Sequence, residues 1–413
     1  MESYTKRGVQ SFWDSDCEDY SAQDIKNYLD SEENFRDFSA GLYLLMEAHG
    51  YTGGIGHKDG AVKFLMDKCL AMPSVGAWPD RDIAALRRTL GNWFREECRP
   101  EILEGSRERI FLLCFALGCS LDEVNWFLAH VLFSRPFYCR NIRDAVYFYC
   151  FYHGYSYDHC RELLRQVQAI EGYADGGDPI DTQVICNKLQ QIRPGDDVEL
   201  LRFIQYNGGA FTSWETKAFA VLRHLLVHVK GKAEDVDQLK AYVKNHDYKT
   251  IDQAGYVVQD YARLHHNGKM EFANIHIDSI DFMLNMMLNV RKMDKRQLQF
   301  SVTPSICKLI QRNFPDRNGF YAIMKENTKS YELLRKAIIL LQFYACRFTE
   351  SEETEQISPD GHYDYFTTKI NLALHEARMD TLFIGNPYDL IFMLAARNED
   401  PVWMLQAILS KGE

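Results

Sequence analysis

From residue 38 onward, apolar residues recur three and four apart in segment after segment, a spacing that leaves little room for anything but helix. "FSAGLYLLMEAH" (38–49), "AVKFLMDKCLAM" (61–72), "IAALRRTLGNWFREE" (83–97), "VELLRFIQYN" (198–207), "DSIDFMLNMMLNVRKM" (278–293) and "YELLRKAIILLQFYACRF" (331–348) all show it. The alternation of a half-buried strand is almost absent, "ANIHIDSI" (273–280) being the one short candidate. The expected fold class is therefore all-α, built as stacked helical hairpins or a helical bundle. Composition supplies what such a fold needs: 46% hydrophobic and 13% aromatic residues in 413 exclude disorder of the whole chain and provide for sizeable cores.

Two breaker-rich stretches punctuate the pattern. "EGYADGGDPIDT" divides an N-terminal helical domain (1–170) from a C-terminal one (183–413), with 171–182 as linker. "TESEETEQISPDGH" (349–362) reads as a solvated acidic loop within the second. The eleven cysteines are scattered and mostly fall inside apolar helical patterns, which predicts reduced, buried thiols. The N-terminus has no apolar signal region, and no run of about 18 apolar residues occurs. A cytosolic protein without a membrane segment is expected.

The stretch "CFALGCSLDEVNWFL" (114–128) carries a turn: Gly118 ends one helix, Ser120 caps the next, and Glu123 completes a capping box. It lies in a segment, 111–131, that aligns without a gap on 147–167. Cys114 matches Cys150, Phe115 Phe151, Gly118 Gly154, Ser120 Ser156, Asp122 Asp158, Leu128 Leu164 and Val131 Val167. A helix-turn-helix unit of about 36 residues, present at least twice, is expected, with a fainter copy at 389–409 where Pro401 takes the place of the cap Ser. The turn resembles that of DNA-binding helix-turn-helix proteins, which would make 120–130 a recognition helix; Asp122 and Glu123 at its start would repel phosphate.

A net charge of −11 argues against a general polyanion binder. Residues 81–143, however, hold ten Arg, no Lys and eight acidic residues, so a local Arg-rich face is compatible with an acidic protein. Within this region "SRPFYCRNIRDAVYF" (134–148) interleaves Arg135, Arg140 and Arg143 with Phe137 and Tyr138. Guanidinium groups pairing phosphate beside rings that stack bases are what single-stranded nucleic acid requires. The same arginines could equally bridge to Asp144, Asp158 or Glu162.

In "TSWETKAFAVLRHLLVHV" (212–229), Thr212 and Glu215 read as a capping box and Phe219, Leu222, Leu226 and Val229 as the buried stripe. Inside it "RHLLVH" (223–228) resembles the R-x4-H motif of HEPN ribonucleases, including the polar residue directly after the Arg. That resemblance implies metal-independent RNA cleavage, with His228 as acid or base and Arg223 stabilising the developing charge, assembled across a homodimer. Cys150, His153, His159 and Cys160, and the pair His224 and His228, have ligand chemistry, yet the two cysteines fall at apolar or repeated helix positions. No metal site and no cofactor are expected. Walker A, G-x-G-x-x-G, G-x-S-x-G and H-E-x-x-H signatures are absent. The reading that results is a non-enzymatic helical interaction protein of a nucleic-acid-associated or defence-type assembly, with a protein partner or RNA or single-stranded nucleic acid as its target and no membrane. A HEPN-like ribonuclease and a DNA-binding regulator are its alternatives.

Overall fold

The computed structural model describes residues 20–30, 37–95, 104–170, 182–231, 292–293, 298–299, 330–353 and 359–409. They form α1 Ala22–Asp30, α2 Phe38–Ala48, α3 Lys58–Leu70, α4 Pro73–Gly76, α5 Asp80–Trp93, α6 Glu104–Leu117, α7 Leu121–His130, α8 Ile142–His153, α9 Tyr157–Gln168, α10 Thr182–Gln191, α11 Asp197–Tyr206 and α12 Gly208–Gly231. After the two-residue antiparallel ladder of β1 Lys292–Met293 and β2 Leu298–Gln299 come α13 Tyr331–Glu353, α14 Pro359–Glu376, α15 Pro387–Ala395 and α16 Pro401–Leu409. The fold is all-α. Among the described residues, no helix is long and apolar enough to cross a membrane.

Several boundaries differ from the sequence reading, each for a local reason. The helix expected to begin at Thr212 starts at Gly208, a turn earlier, because burial of Ala210, Phe211 and Trp214 outweighs the weak propensity of two glycines. Thr212 is thus inside the helix, not its cap. The acidic stretch 349–362 is helical at both described ends, closing α13 and opening α14 at Pro359, where proline suits the first turn. In the last hairpin the cap is Asp400, whose Oδ1 accepts the Trp403 N–H at 2.9 Å, and Pro401 is the first helical residue. The segment 273–280 and most of 278–293 lie outside the described residues; of the latter, Lys292–Met293 is strand. The stretch 171–182 is likewise outside, save Thr182, which opens α10.

The chain divides into two compact units, one comprising Met1–Gln10 and Ser31–Thr216, the other Ser11–Asp30 and Lys217–Glu413. In the first, α3 packs against α5 and α6, α2 against α7, and α8 against α9 and α10. Phe38 on α2 meets Trp93 and Phe127 edge-on, each at 5.7 Å, and so ties α2 to α5 and α7. Phe111 contacts Tyr147 at 4.4 Å and Phe115 stacks on Phe151 at 3.9 Å. Positions 36 apart therefore touch directly in the same order, so α6 and α8 run side by side in the same direction.

The hairpin turns α6–α7 and α8–α9 share their hydrogen bonds. Cys119 N–H reaches Cys114 O at 2.9 Å, and Tyr155 N–H reaches Cys150 O at the same distance. Gly118 (φ 76°) and Gly154 (φ 68°) take the left-handed position this closure requires. Ser120 and Ser156 then cap α7 and α9, and Glu123 returns the capping box to Ser120. A Cβ at Gly118 would meet no atom within 4 Å, so Gly118→Ala tests backbone strain alone. A loss of about 1–2 kcal/mol in urea unfolding is expected, and an unchanged midpoint would show that the left-handed turn is not formed.

The second unit is built on α13, which packs against α14, α15 and α16, while α1 packs on α16. Phe343 at its centre meets Phe366 of α14 at 4.9 Å and Phe392 of α15 at 5.1 Å. Of the eleven cysteines, eight are described; all eight are free and seven are buried.

Candidate functional site

The Arg and aromatic segment 134–148 folds inward around one carboxylate. Asp144, in the first turn of α8, is buried. Its Oδ2 accepts from Arg107 Nη2 at 3.1 Å, Arg135 Nη1 at 2.8 Å and the Tyr138 N–H at 2.9 Å. Burial alone would raise the Asp144 carboxyl; the Arg107 and Arg135 charges and the Tyr138 amide outweigh it and hold the group below the usual carboxylate range. Arg107 Nη1 also donates to Ser134 Oγ at 2.7 Å and Nη2 to Pro136 O at 2.6 Å, so one guanidinium organises the whole loop. Arg135 lies over the Tyr138 ring at 4.7 Å, Tyr138 and Arg140 are buried, and Phe137 stacks on Phe111 at 5.2 Å. Arg143 is half-exposed and pairs with Glu108. Of the three carboxylates that could have engaged these arginines, Asp144 engages Arg135, so part of the segment holds the fold, while Phe137 and Arg143 remain partly exposed.

The second unit repeats this device. Arg335 on α13 grips Asp389 through two bonds, Nη1 to Oδ1 at 2.9 Å and Nη2 to Oδ2 at 2.7 Å. Its Nε and Nη2 donate to Asp380 O and Thr381 O, and Asp389 Oδ2 also accepts the Phe383 N–H at 2.9 Å. Asn141 and Asn386, three residues before each Asp, cap α8 and α15. Phe133 (φ 54°) and Arg378 (φ 56°), the positive-φ non-glycine residues among those described, each stand eleven positions before it.

Arg223 lies exposed on α12, its Nε donating to Phe219 O one turn back at 3.3 Å. Phe219 and Leu222 are buried as the stripe requires, but the side chains of Leu226, His228 and Val229 lie outside the described residues. The helix α7, read as a recognition element, buries Val124, Phe127, Leu128 and Ala129 and turns Asp122 to solvent. Of the residues with ligand chemistry, His153 contacts Leu189 O at 3.4 Å, His159 pairs with Asp197 at 3.1 Å, and Cys150 and Cys160 are buried.

The exposed cations lie elsewhere. Arg81 and Arg88, seven residues apart, fall along one stripe of α5; Arg87 on the same helix and Arg95, two residues past its end, are exposed as well. Arg109 of α6, also exposed, donates through Nη1 to Thr89 Oγ1 at 3.3 Å and so lies against α5. Arg81 is taken by Asp82 at 3.6 Å, whereas Arg87, Arg88, Arg95 and Arg109 make no ion pair among the described residues. Residues 83–95 contain no carboxylate. The heptad spacing of these arginines was readable in the sequence; that Arg109 joins them depended on how α6 lies against α5.

A groove of about 590 Å³ opens in the same unit, lined by Lys188 of α10 and by Glu199, Arg202, Phe203, Gln205, Tyr206 and Asn207 of α11 and its C-terminus. Lys188 is engaged by Glu199 at 2.7 Å. Tyr206 is 74% exposed, four residues from the exposed Arg202, so a ring and a guanidinium share one helix face. Compared with protein-family models, curated proteins and solved structures, the chain matches none.

Proposed function

We propose that the chain is a helical interaction protein whose first unit binds single-stranded nucleic acid, RNA or DNA. The observation that carries this reading is the set Arg87, Arg88, Arg95 and Arg109, four exposed guanidinium groups on and beside α5 without a carboxylate partner among the described residues. Four arginines around one helix without an ion-pair partner among the described residues favour a local field that attracts phosphate despite the net charge of −11. The groove adds what sequence-independent binding of a single strand uses beside charge, an exposed ring at Tyr206 with Arg202 next to it. Nothing in either feature requires a reacting group, so binding is the activity proposed.

The test is a mobility shift with end-labelled single-stranded RNA and DNA of mixed sequence, in EDTA. Wild type is expected to shift both. A variant with Gln at 87, 88, 95 and 109 should lose most of the affinity, and Tyr206→Ala should lose roughly 5–150-fold, corresponding to about 1–3 kcal/mol for one stacked base. No shift by wild type, or equal binding by the Gln variant, would overturn the reading and direct attention to a protein partner. Cleavage rather than retention of the RNA would instead favour an enzyme acting through Arg223 and His228.

A further inference from the structure

We propose that His49, Cys119 and Glu123 form a zinc site with one open coordination position. His49 Nε2 stands 3.6 Å from Cys119 Sγ and 3.2 Å from Glu123 Oε1, and the three ligand atoms lie within 4.8 Å of one another. Bonds of about 2.0–2.3 Å meeting at a tetrahedral angle require ligand separations of about 3.4–3.6 Å, so small adjustments bring all three onto one ion. Nitrogen, thiolate sulfur and carboxylate oxygen together suit zinc better than a hard cation such as magnesium or calcium.

Each ligand is held by a helix terminus. His49 closes α2, where Tyr51 N–H bonds Met46 O at 2.9 Å across Gly50. Cys119 sits in the turn after α6, its N–H fixed on Cys114 O. Glu123 divides its carboxylate: Oε2 accepts the Ser120 N–H and hydroxyl, each at 2.8 Å, which satisfies the capping box. Oε1 is not needed for the cap and faces His49.

One imidazole nitrogen faces a sulfur and a carboxylate oxygen at once. Without an ion, His49 Nε2–H can donate to Glu123 Oε1 with the Cys119 sulfur as a weak second acceptor. A cation at the centre takes a lone pair from all three. His49 and Glu123 retain 15% and 31% side-chain exposure, so the cluster is within reach of solvent. The buried Cys114 hydrogen-bonds to Cys119 from behind, in the place of an outer-shell partner.

The experiment titrates the reduced full-length protein with cobalt(II), then displaces it with zinc. Wild type is expected to show a thiolate-to-cobalt charge-transfer band and tetrahedral ligand-field bands, saturating at one ion per chain and abolished by one equivalent of zinc. Cys119→Ser and His49→Gln, with folding checked by circular dichroism, should each lose the charge-transfer band or shift it with at least a tenfold loss of affinity; Cys114→Ser should keep it. Absence of the band in wild type, or its undiminished persistence in either ligand variant, would overturn the assignment.

Discussion

The Asp389→Ala variant is expected to lose about 3–5 kcal/mol of stability in the second unit, the cost of leaving a buried guanidinium without its counter-charge. Asp389 is 0% exposed and Arg335 is 4% exposed, so neither charge has water to fall back on. Arginine does not escape by releasing its proton. Burial pulls the Arg335 value down, yet the charge and hydrogen bonds of Asp389 overcome this and raise it above the ordinary arginine range. The lost carboxylate also frees the Phe383 N–H, loosening the loop that leads into α15. Urea unfolding followed by circular dichroism checks the size, and a loss below about 1 kcal/mol would mean that the pair is not buried as described. Replacing both partners, Arg335→Met with Asp389→Leu, should recover part of the loss. Recovery stays incomplete because Asp380 O and Thr381 O lose their donors in the double variant.

Asp144→Ala should cost the first unit a similar 3–5 kcal/mol, since it strips the buried Arg107 and the partly buried Arg135 of one shared carboxylate. Here a pH signature accompanies the loss. The folded Asp144 carboxyl lies below its unfolded value of about 3.9. Its contribution is therefore fully present above that value and disappears as pH falls through the lower, folded one. Wild type should lose stability on that acid limb, and Asp144→Ala should lose correspondingly less there. Parallel acid limbs in the two proteins would contradict the assignment of Asp144 as the hub of the loop.

The helices were legible because their apolar spacing is local, and so were the turns, since Gly118 and Gly154 with Ser120 and Ser156 carry both halves of the helix-to-helix geometry in a few residues. The direction of the 134–148 side chains was not legible. Arg beside aromatic residues satisfies a nucleic acid and a buried carboxylate equally well, and only the position of Arg107, 37 residues before Asp144, decides between them. The Arg335 and Asp389 pair spans 54 residues, and His49 meets Cys119 across 70. No periodicity encodes such contacts; they arise when whole helices pack. The arginine stripe on α5 is the intermediate case, visible as a heptad spacing in the sequence but meaningful only once those positions proved to face solvent.

The most direct test of nucleic-acid binding is the salt dependence of affinity for a labelled single-stranded RNA, measured by fluorescence anisotropy for wild type and for the variant with Gln at 87, 88, 95 and 109. If all four arginines meet phosphates, log K against log salt should fall with a slope of about −3 or steeper in wild type, and the slope should flatten by about 3 in the variant. A slope near zero in wild type, or the same slope in both proteins, would contradict the account.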